Sequence, residues 1–141
     1  MQARQVYIIT AVQIVAVAVL LWWVFSWPGP WTAEREIGAA LMVTGIGGIA
    51  TARYQLGRSF AIKAEAHKLV THGIYSKIRN PIYVFGVVLI LGFLLFFQRP
   101  ILWLLLVIVI VGQTIRARRE ARVLESTFGD AYRDYRRKTW F

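Results

Sequence analysis

Four long apolar stretches without a charged residue divide the chain. They cover residues 6–25, 37–52, 81–97 and 100–115. The first has the length that a helix needs to cross the roughly 30 Å hydrocarbon core of a bilayer, and the other three are somewhat shorter. We therefore predict an all-α, polytopic membrane protein with four transmembrane helices, folded as one membrane-embedded domain over residues 1–141.

Tryptophans mark the end of the first apolar stretch. Trp22, Trp23, Trp27 and Trp31 all lie there, and Pro28 follows instead of the small residues of a signal-peptide cleavage site. Tryptophan is enriched where a membrane meets water. The pattern predicts a retained helix with an interfacial aromatic belt.

The third and fourth stretches are separated by only Gln98 and Arg99. Helices joined by so short a connection are antiparallel neighbours, so we predict a tight hairpin. In the second stretch, Ala40, Thr44 and Gly48 recur at a spacing of four, which predicts a small-residue face for helix contact.

Basic residues fall almost entirely on one side of the predicted membrane. The chain has 17 Lys and Arg against 7 Asp and Glu, a net charge of +10. All except Arg35 and Arg99 lie before the first stretch, within residues 53–80, or after the fourth stretch. The positive-inside rule therefore predicts cytoplasmic termini and a cytoplasmic loop at 53–80, at the inner membrane if the source is bacterial. The charge excess indicates topology, and we expect no nucleic-acid partner.

Composition narrows the chemistry further. The chain is 57% hydrophobic, has no cysteine and has two histidines, so we expect neither a thiolate site nor a multi-histidine metal centre.

Residues 116–138 are predicted to form a cytoplasmic tail helix, broken at Gly129, with Asp130 capping a short final segment.

Side chains able to do chemistry concentrate in the loop before the hairpin, which reads HKLVTHGIYSKIRNPIY over residues 67–83. Each has an ordinary structural role open to it: Asn80 can cap a helix that begins at Pro81, and arginines and tyrosines can anchor at headgroups. Their concentration opposite Arg116 and Glu120, which lie one turn apart on a helix face, instead indicates a binding site at the cytoplasmic interface.

The spacing H-x-L-V-T-x-G-x-Y-x-x-x-R-N-P-x-Y-x-x-G resembles the signature of the isoprenylcysteine carboxyl methyltransferase and phospholipid methyltransferase families. Downstream, Glu120 and the run Leu124-x-x-x-Phe128-Gly129-x-x-Tyr132-x-x-Tyr135 resemble the E-E-x-x-L-x-x-x-F-G-x-x-Y-x-x-Y of those families. This chain departs from the pattern at Asn80, where the families have histidine, and at Ala121, where they have a second glutamate. Glu125, on the next turn, is the expected partial substitute.

The resemblance implies an integral-membrane methyltransferase that uses S-adenosylmethionine and takes a lipid or prenylated acceptor from the bilayer. The cofactor-binding residues that it implies are His67, Leu69, Val70, Gly73, Tyr75, Asn80, Pro81, Tyr83 and Glu120. It implies catalytic roles for Arg79, Arg116 and Glu120, which would organise the pocket and orient the acceptor.

Two acceptor chemistries stay open. The carboxylate of an isoprenylcysteine-like or related lipid needs a cation to orient it, for which Arg116 is the candidate. A phospholipid amine must lose a proton, for which Glu120 or a tyrosine is the candidate base. Asn80 hydrogen-bonds but does not titrate, which favours the carboxylate.

Two different classes of protein also stay open. One is an NADPH-dependent reductase of the sterol type, which would need more membrane spans than the four predicted here. The second is a non-catalytic membrane scaffold that keeps a degenerate methyltransferase hairpin, and the residues at positions 80 and 121 are the features that favour it.

Overall fold

The computed structural model describes residues 2–56 and 69–141, with residues 2–10 described by their backbone alone. His67 lies outside the described residues. The described elements are helices α1 (Gln2–Phe25), α2 (Ala33–Leu56), α3 (Pro81–Phe97), α4 (Ile101–Phe128) and α5 (Asp130–Lys138), with a 3-10 turn at Gly73–Ser76. The prediction of an all-α fold is confirmed for this part of the chain.

Among the described residues, α2 and α4 are long and apolar enough to cross a membrane, as judged by length and composition. Residues 11–25 of α1 and the whole of α3 are apolar but shorter. The first half of α4 leaves large apolar side chains exposed, including Trp103, Val107 and Ile108. A continuous apolar surface of this kind suits contact with lipid. Four membrane spans, with both termini cytoplasmic, stay a prediction.

The chain divides into two compact units, Met1–Ala33 and Glu34–Phe141. In the first unit, aromatic rings gather at the end of α1. Trp23 meets Trp27 edge to face with ring centroids 5.8 Å apart, and Phe25 stacks on Trp31 at 6.3 Å. Ring pairs at the end of an apolar helix fit the predicted interfacial belt.

In the second unit, α2 and α3 approach closely because glycines face each other. A Cβ placed on Gly92 would lie 2.7 Å from both the Gly38 carbonyl oxygen and the Met42 amide nitrogen. A Cβ on Gly45 would lie 2.8 Å from Leu89 Cα. Backbones this close tolerate no side chain between them, so glycine is required on both helices.

The predicted small-residue face of α2 is wrong at two of its three positions. Ala40 and Thr44 are exposed, and the Thr44 hydroxyl donates to the Ala40 carbonyl of its own helix. Gly48 does face α3, where a Cβ would collide with the Phe85 ring. The residues of α2 that contact α3 are instead Gly38, Gly45 and Gly48. Because a helix has 3.6 residues per turn, residues four apart are rotated by about 40° at each step, so a row at that spacing turns away from the neighbouring helix.

Helices α3 and α4 form the predicted hairpin. Gln98 ends α3 in the left-handed conformation, with φ 52°, and its N–H donates to the Leu94 carbonyl at 2.9 Å. Helix α4 then runs without a break from the predicted fourth span through the start of the predicted tail helix, and the membrane boundary at 115/116 stays a prediction. The break comes at Gly129 as predicted, but the Asp130 side chain makes no capping bond and pairs with Arg133.

Candidate functional site

The loop before α3 is attached to the end of α2 by one side chain. Gln55 Oε1 accepts the Ile74 N–H at 2.7 Å. Gly73 has φ 59°, and a Cβ there would overlap the Gln55 amide. Glycine is needed at this motif position for both the backbone conformation and the close approach of α2.

The two tyrosines of the downstream motif pack beneath this loop. Tyr132 and Tyr135 are buried, and the Tyr135 hydroxyl donates to the Tyr75 carbonyl at 2.7 Å. Tyr75 is itself buried, and burial is the main reason why its pKa is raised to about 12, with Tyr135 and Glu120 adding to the effect. Burial also raises the pKa of Tyr135 to about 12. Both phenols therefore remain neutral hydrogen-bond donors over the physiological pH range.

Helix α3 begins with the predicted Asn-Pro pair. Pro81 is the first helical residue and is fully buried, in the position where a missing N–H does no harm. The expectation that the Asn80 side chain caps the helix is wrong, because it makes no capping hydrogen bond. The Asn80 carbonyl instead accepts the N–H groups of Tyr83 and Val84, at 3.0 and 3.1 Å.

Residues 140–141 pair with the loop along its backbone. The Trp140 N–H donates to the Lys77 carbonyl at 3.0 Å, the Arg79 N–H donates to the Trp140 carbonyl at 3.1 Å, and the Asn80 N–H donates to a Phe141 oxygen at 3.0 Å. The result is a short parallel bridge next to the start of α3. Nothing in the motif spacing indicated this contact, and only the β-favouring Thr-Trp-Phe run hints at extended backbone.

A hydrogen bond between two side chains also joins the two halves of the motif, in addition to the Tyr135–Tyr75 bond. The Tyr83 hydroxyl donates to Glu120 Oε1 at 2.5 Å, across 37 positions of sequence. Arg116 lies one turn earlier on α4 and interacts electrostatically with Tyr83. The prediction that the Asn80 end of α3 lies close to the Arg116 region of α4 is therefore confirmed.

Glu125 does not take the place of the missing second glutamate. Its carboxylate is 3.1 Å from Arg133 Nε and 3.9 Å from Arg136 Nη1, so it holds α5 against α4. The expectation of a substitute acidic group in the site is therefore wrong. Glu120, whose side chain is exposed, is the acidic group that faces the loop.

The remaining predicted residues lie around this centre. Leu69 and Val70 are half-buried in the segment that leads to the 3-10 turn. Arg79 is half-buried and contributes positive charge near Tyr132 and Tyr135. Gln55 and the 140–141 pairing are the parts of the site that the sequence pattern missed.

A groove opens between α3 and α4 next to Tyr83. Its volume is about 300 Å³. Most of its wall is aliphatic, and it is lined by Tyr83, Val84, Val87, Val88, Ile110, Gln113, Thr114 and Phe141. The groove therefore extends from the Tyr83–Glu120 contact along the apolar part of the hairpin.

Comparison with known proteins supports one family. The family model described as phospholipid methyltransferase matches residues 33–131, more than half of the chain and including both motif halves up to Ala131. This confirms the resemblance seen in the motifs. The family is one of membrane methyltransferases that generally use S-adenosylmethionine. Searches of curated proteins and of solved structures gave no match.

Proposed function

Because the chain belongs to the phospholipid methyltransferase family, we propose that it transfers a methyl group from S-adenosylmethionine to a lipid acceptor at the cytoplasmic membrane interface. The observation that carries this proposal is the hydrogen bond between Tyr83 and Glu120, which joins the loop motif to α4. It places an exposed carboxylate beside aromatic and basic groups, at the mouth of a groove suited to a lipid.

The residues present fit this cofactor. Its sulfonium and ammonium groups are cations, for which Glu120 is the available carboxylate, and its own carboxylate suits Arg79 or Arg116. Leu69 and Val70 offer apolar surface to the adenine. The cofactor supplies an activated methyl group, so the protein must mainly hold the acceptor in line with it and exclude water.

A lipid carboxylate, as in an isoprenylcysteine, is the first candidate acceptor. It needs no general base, and Asn80 can hydrogen-bond but cannot exchange a proton near neutral pH. Arg116 supplies the cation that orients such an acceptor, one turn from Glu120 on the same helix. Its exposed position lets it reach an incoming headgroup.

A phospholipid amine is the second candidate, and the description of the family favours it. An amine must be deprotonated before it attacks the methyl group. Glu120 is the candidate base, since only one of its oxygens receives the Tyr83 hydroxyl. The two candidates differ in the bond that is made, because a carboxylate becomes an ester and an amine becomes an N-methyl group.

Cofactor binding is the first test. We expect Glu120→Gln to weaken S-adenosylhomocysteine binding by about tenfold, the effect of losing one charge-assisted hydrogen bond, while Tyr83 keeps an oxygen acceptor. Glu125→Gln is the matched control, because it removes the same charge from a nearby residue of α4 that pairs with Arg133 instead of facing the loop. Calorimetric titration in detergent measures both. Equal affinities in the two variants would place the cofactor elsewhere.

Methyl transfer is the second test. Purified protein with labelled S-adenosylmethionine and total membrane lipid extract should label a lipid, and mild base should release the label from an ester but not from an N-methyl group. Arg116→Ala should slow transfer to a carboxylate by at least tenfold, with Arg119→Ala as the exposed control on the same helix. Cofactor binding without transfer to any lipid or prenylcysteine analogue would favour the scaffold, and NADPH binding instead would favour the reductase.

A further inference from the structure

The groove between α3 and α4 contains one polar group that the fold does not use. Gln113 lines it, and the Gln113 Oε1 atom is buried without a hydrogen-bond partner among the described residues. Thr114, the neighbouring polar residue, is satisfied, because its hydroxyl donates to the Ile110 carbonyl at 2.7 Å. A buried amide oxygen in apolar surroundings is unfavourable unless it accepts a hydrogen bond.

The structure makes room for this amide. A Cβ on Gly86, the last glycine of the loop motif, would lie 2.9 Å from Gln113 Nε2. The glycine therefore lets the Gln113 side chain lie against α3, with Nε2 over the glycine and Oε1 as the atom left for a ligand. A side chain at position 86 would displace the amide without touching the helix backbone.

The position of Gln113 on α4 sets its distance from Glu120. It precedes Glu120 by seven residues on α4, which is close to two helical turns and about 10 Å along the axis. Tyr83, whose hydroxyl bonds to Glu120, lines the same groove as Gln113. A molecule whose reacting group lies at Glu120 can therefore extend past Tyr83 along the groove to Gln113.

We propose that this groove binds the acceptor lipid of the proposed methyl transfer. Gln113 selects lipids that carry a hydroxyl or N–H donor about 10 Å from the methylated atom. The inference rests on the proposed function for the identity of the occupant. It narrows the carboxylate candidate of the proposed function, because a lipid with such a donor would be preferred to an isoprenylcysteine, whose chain is a plain hydrocarbon at that depth.

Binding of matched lipid pairs tests this selection. One pair is lysophosphatidylethanolamine and its 2-deoxy analogue, and the other is an N-(3-hydroxyacyl)glycine and the corresponding N-acylglycine. Each pair differs in one hydroxyl group, and the two pairs separate the amine from the carboxylate acceptor. Dissociation constants are measured in detergent micelles by titration without cofactor, so that the result does not depend on methyl transfer.

We expect the hydroxylated member of at least one pair to bind about fivefold to thirtyfold more tightly to the unaltered protein. Gln113→Met keeps the length of the side chain and removes the acceptor, so the preference should fall to about one. Gly86→Ala should reduce it by moving the amide. Thr114→Val is the matched control, and it should keep the full preference because the Thr114 hydroxyl is already bonded.

Equal affinity for both members of each pair in the unaltered protein would overturn the inference. So would a preference that survives Gln113→Met in a protein with an unchanged circular dichroism spectrum. Hydroxyl selection that depends on Gln113, without any labelled lipid in the transfer assay, would refute the proposed function and leave the lipid site in place. Labelled lipid without hydroxyl selection would refute selection by Gln113 and leave the proposed function in place.

Discussion

The close packing of α2 on α3 predicts that alanine at Gly92 destabilises the protein. The new Cβ would lie 2.7 Å from the Gly38 carbonyl oxygen and the Met42 amide nitrogen, whereas ordinary contact begins at 3.4 Å. Both obstructing atoms belong to backbone that cannot rotate away. The helices must therefore separate by about 0.7 Å at this point, the difference between the two distances.

The expected magnitude follows from two opposing effects. Overpacking of a tight contact costs roughly 1–3 kcal/mol. Alanine is also a better helix former than glycine by about 1 kcal/mol. We therefore expect Gly92→Ala to lower the free energy of unfolding by up to about 2 kcal/mol, the cost of overpacking less the gain in helix propensity. It should also weaken S-adenosylhomocysteine binding, because α2 holds the loop through Gln55 and Ile74.

The chain offers two controls for this substitution. A Cβ on Gly112 of α4 or on Gly47 of α2 would have no neighbour within 4 Å. Alanine at either position should leave stability unchanged or raise it by up to about 1 kcal/mol through helix propensity. Unfolding is measured for all three variants in the same detergent, by circular dichroism during heating. A Gly92→Ala protein as stable as the Gly112→Ala protein would refute the packing described above.

Three further predictions concern topology, pH and the altered motif position. Reporter fusions after Ser26 and after Gln98 should report the outside and a fusion after Lys63 the inside, and a cytoplasmic signal at Ser26 would overturn the four-span topology. The pKa values of Tyr75 and Tyr135 are about 12 in the folded protein, against an ordinary value of 10.0. The contribution of these two tyrosines to stability should therefore be constant below about pH 9 and fall between about pH 10 and 12, because the unfolded chain ionises first. Tyr135→Phe should flatten that fall in denaturation curves, and an unchanged slope would contradict it. Asn80→His should change turnover by less than about tenfold relative to the unaltered protein. A pH–rate profile of the unaltered protein should contain no ionisation at about pH 6.5 that is lost in Asn80→Ala.

The parts of the fold predictable from sequence are those fixed by short-range pattern. Apolar stretches located α3 and the start of α4, and the two-residue gap between them required a hairpin. That hairpin in turn brought Tyr83 and Glu120 to one end of the molecule. Gly129 broke the tail helix because glycine readily adopts the positive φ found there, 51°.

The parts that were not predictable depend on long-range contact. The face of α2 that meets α3 is decided by which glycines find backbone opposite them, and the spacing of Ala40, Thr44 and Gly48 carried no information on this. Trp140 joins the loop through backbone hydrogen bonds, which any sequence can make and which therefore leave no residue pattern. Gln55 joins it through its side-chain oxygen, but its partner is the Ile74 backbone N–H, 19 positions away, which no local spacing reveals. Gln113 lies beside Thr114 near the end of an apolar stretch, and that its oxygen has no partner among the described residues is visible only once α3 is placed against α4.

The geometry at Asn80 explains why the departure from the family histidine is compatible with an intact site. The backbone of Asn80 does the structural work, since its N–H donates to Phe141 and its carbonyl accepts the Tyr83 and Val84 N–H groups. None of these bonds involves the side chain, so either residue type can occupy the position without moving Pro81 or the first turn of α3. The side chain is then free of a capping role and half-buried beside the loop, where it can hydrogen-bond to a ligand. What the change removes is a group that titrates near neutral pH. Transfer to an acceptor that loses no proton does not need such a group, whereas transfer to an amine does. The identity of the methylated atom and the effect of Asn80→His should therefore be measured on the same preparation.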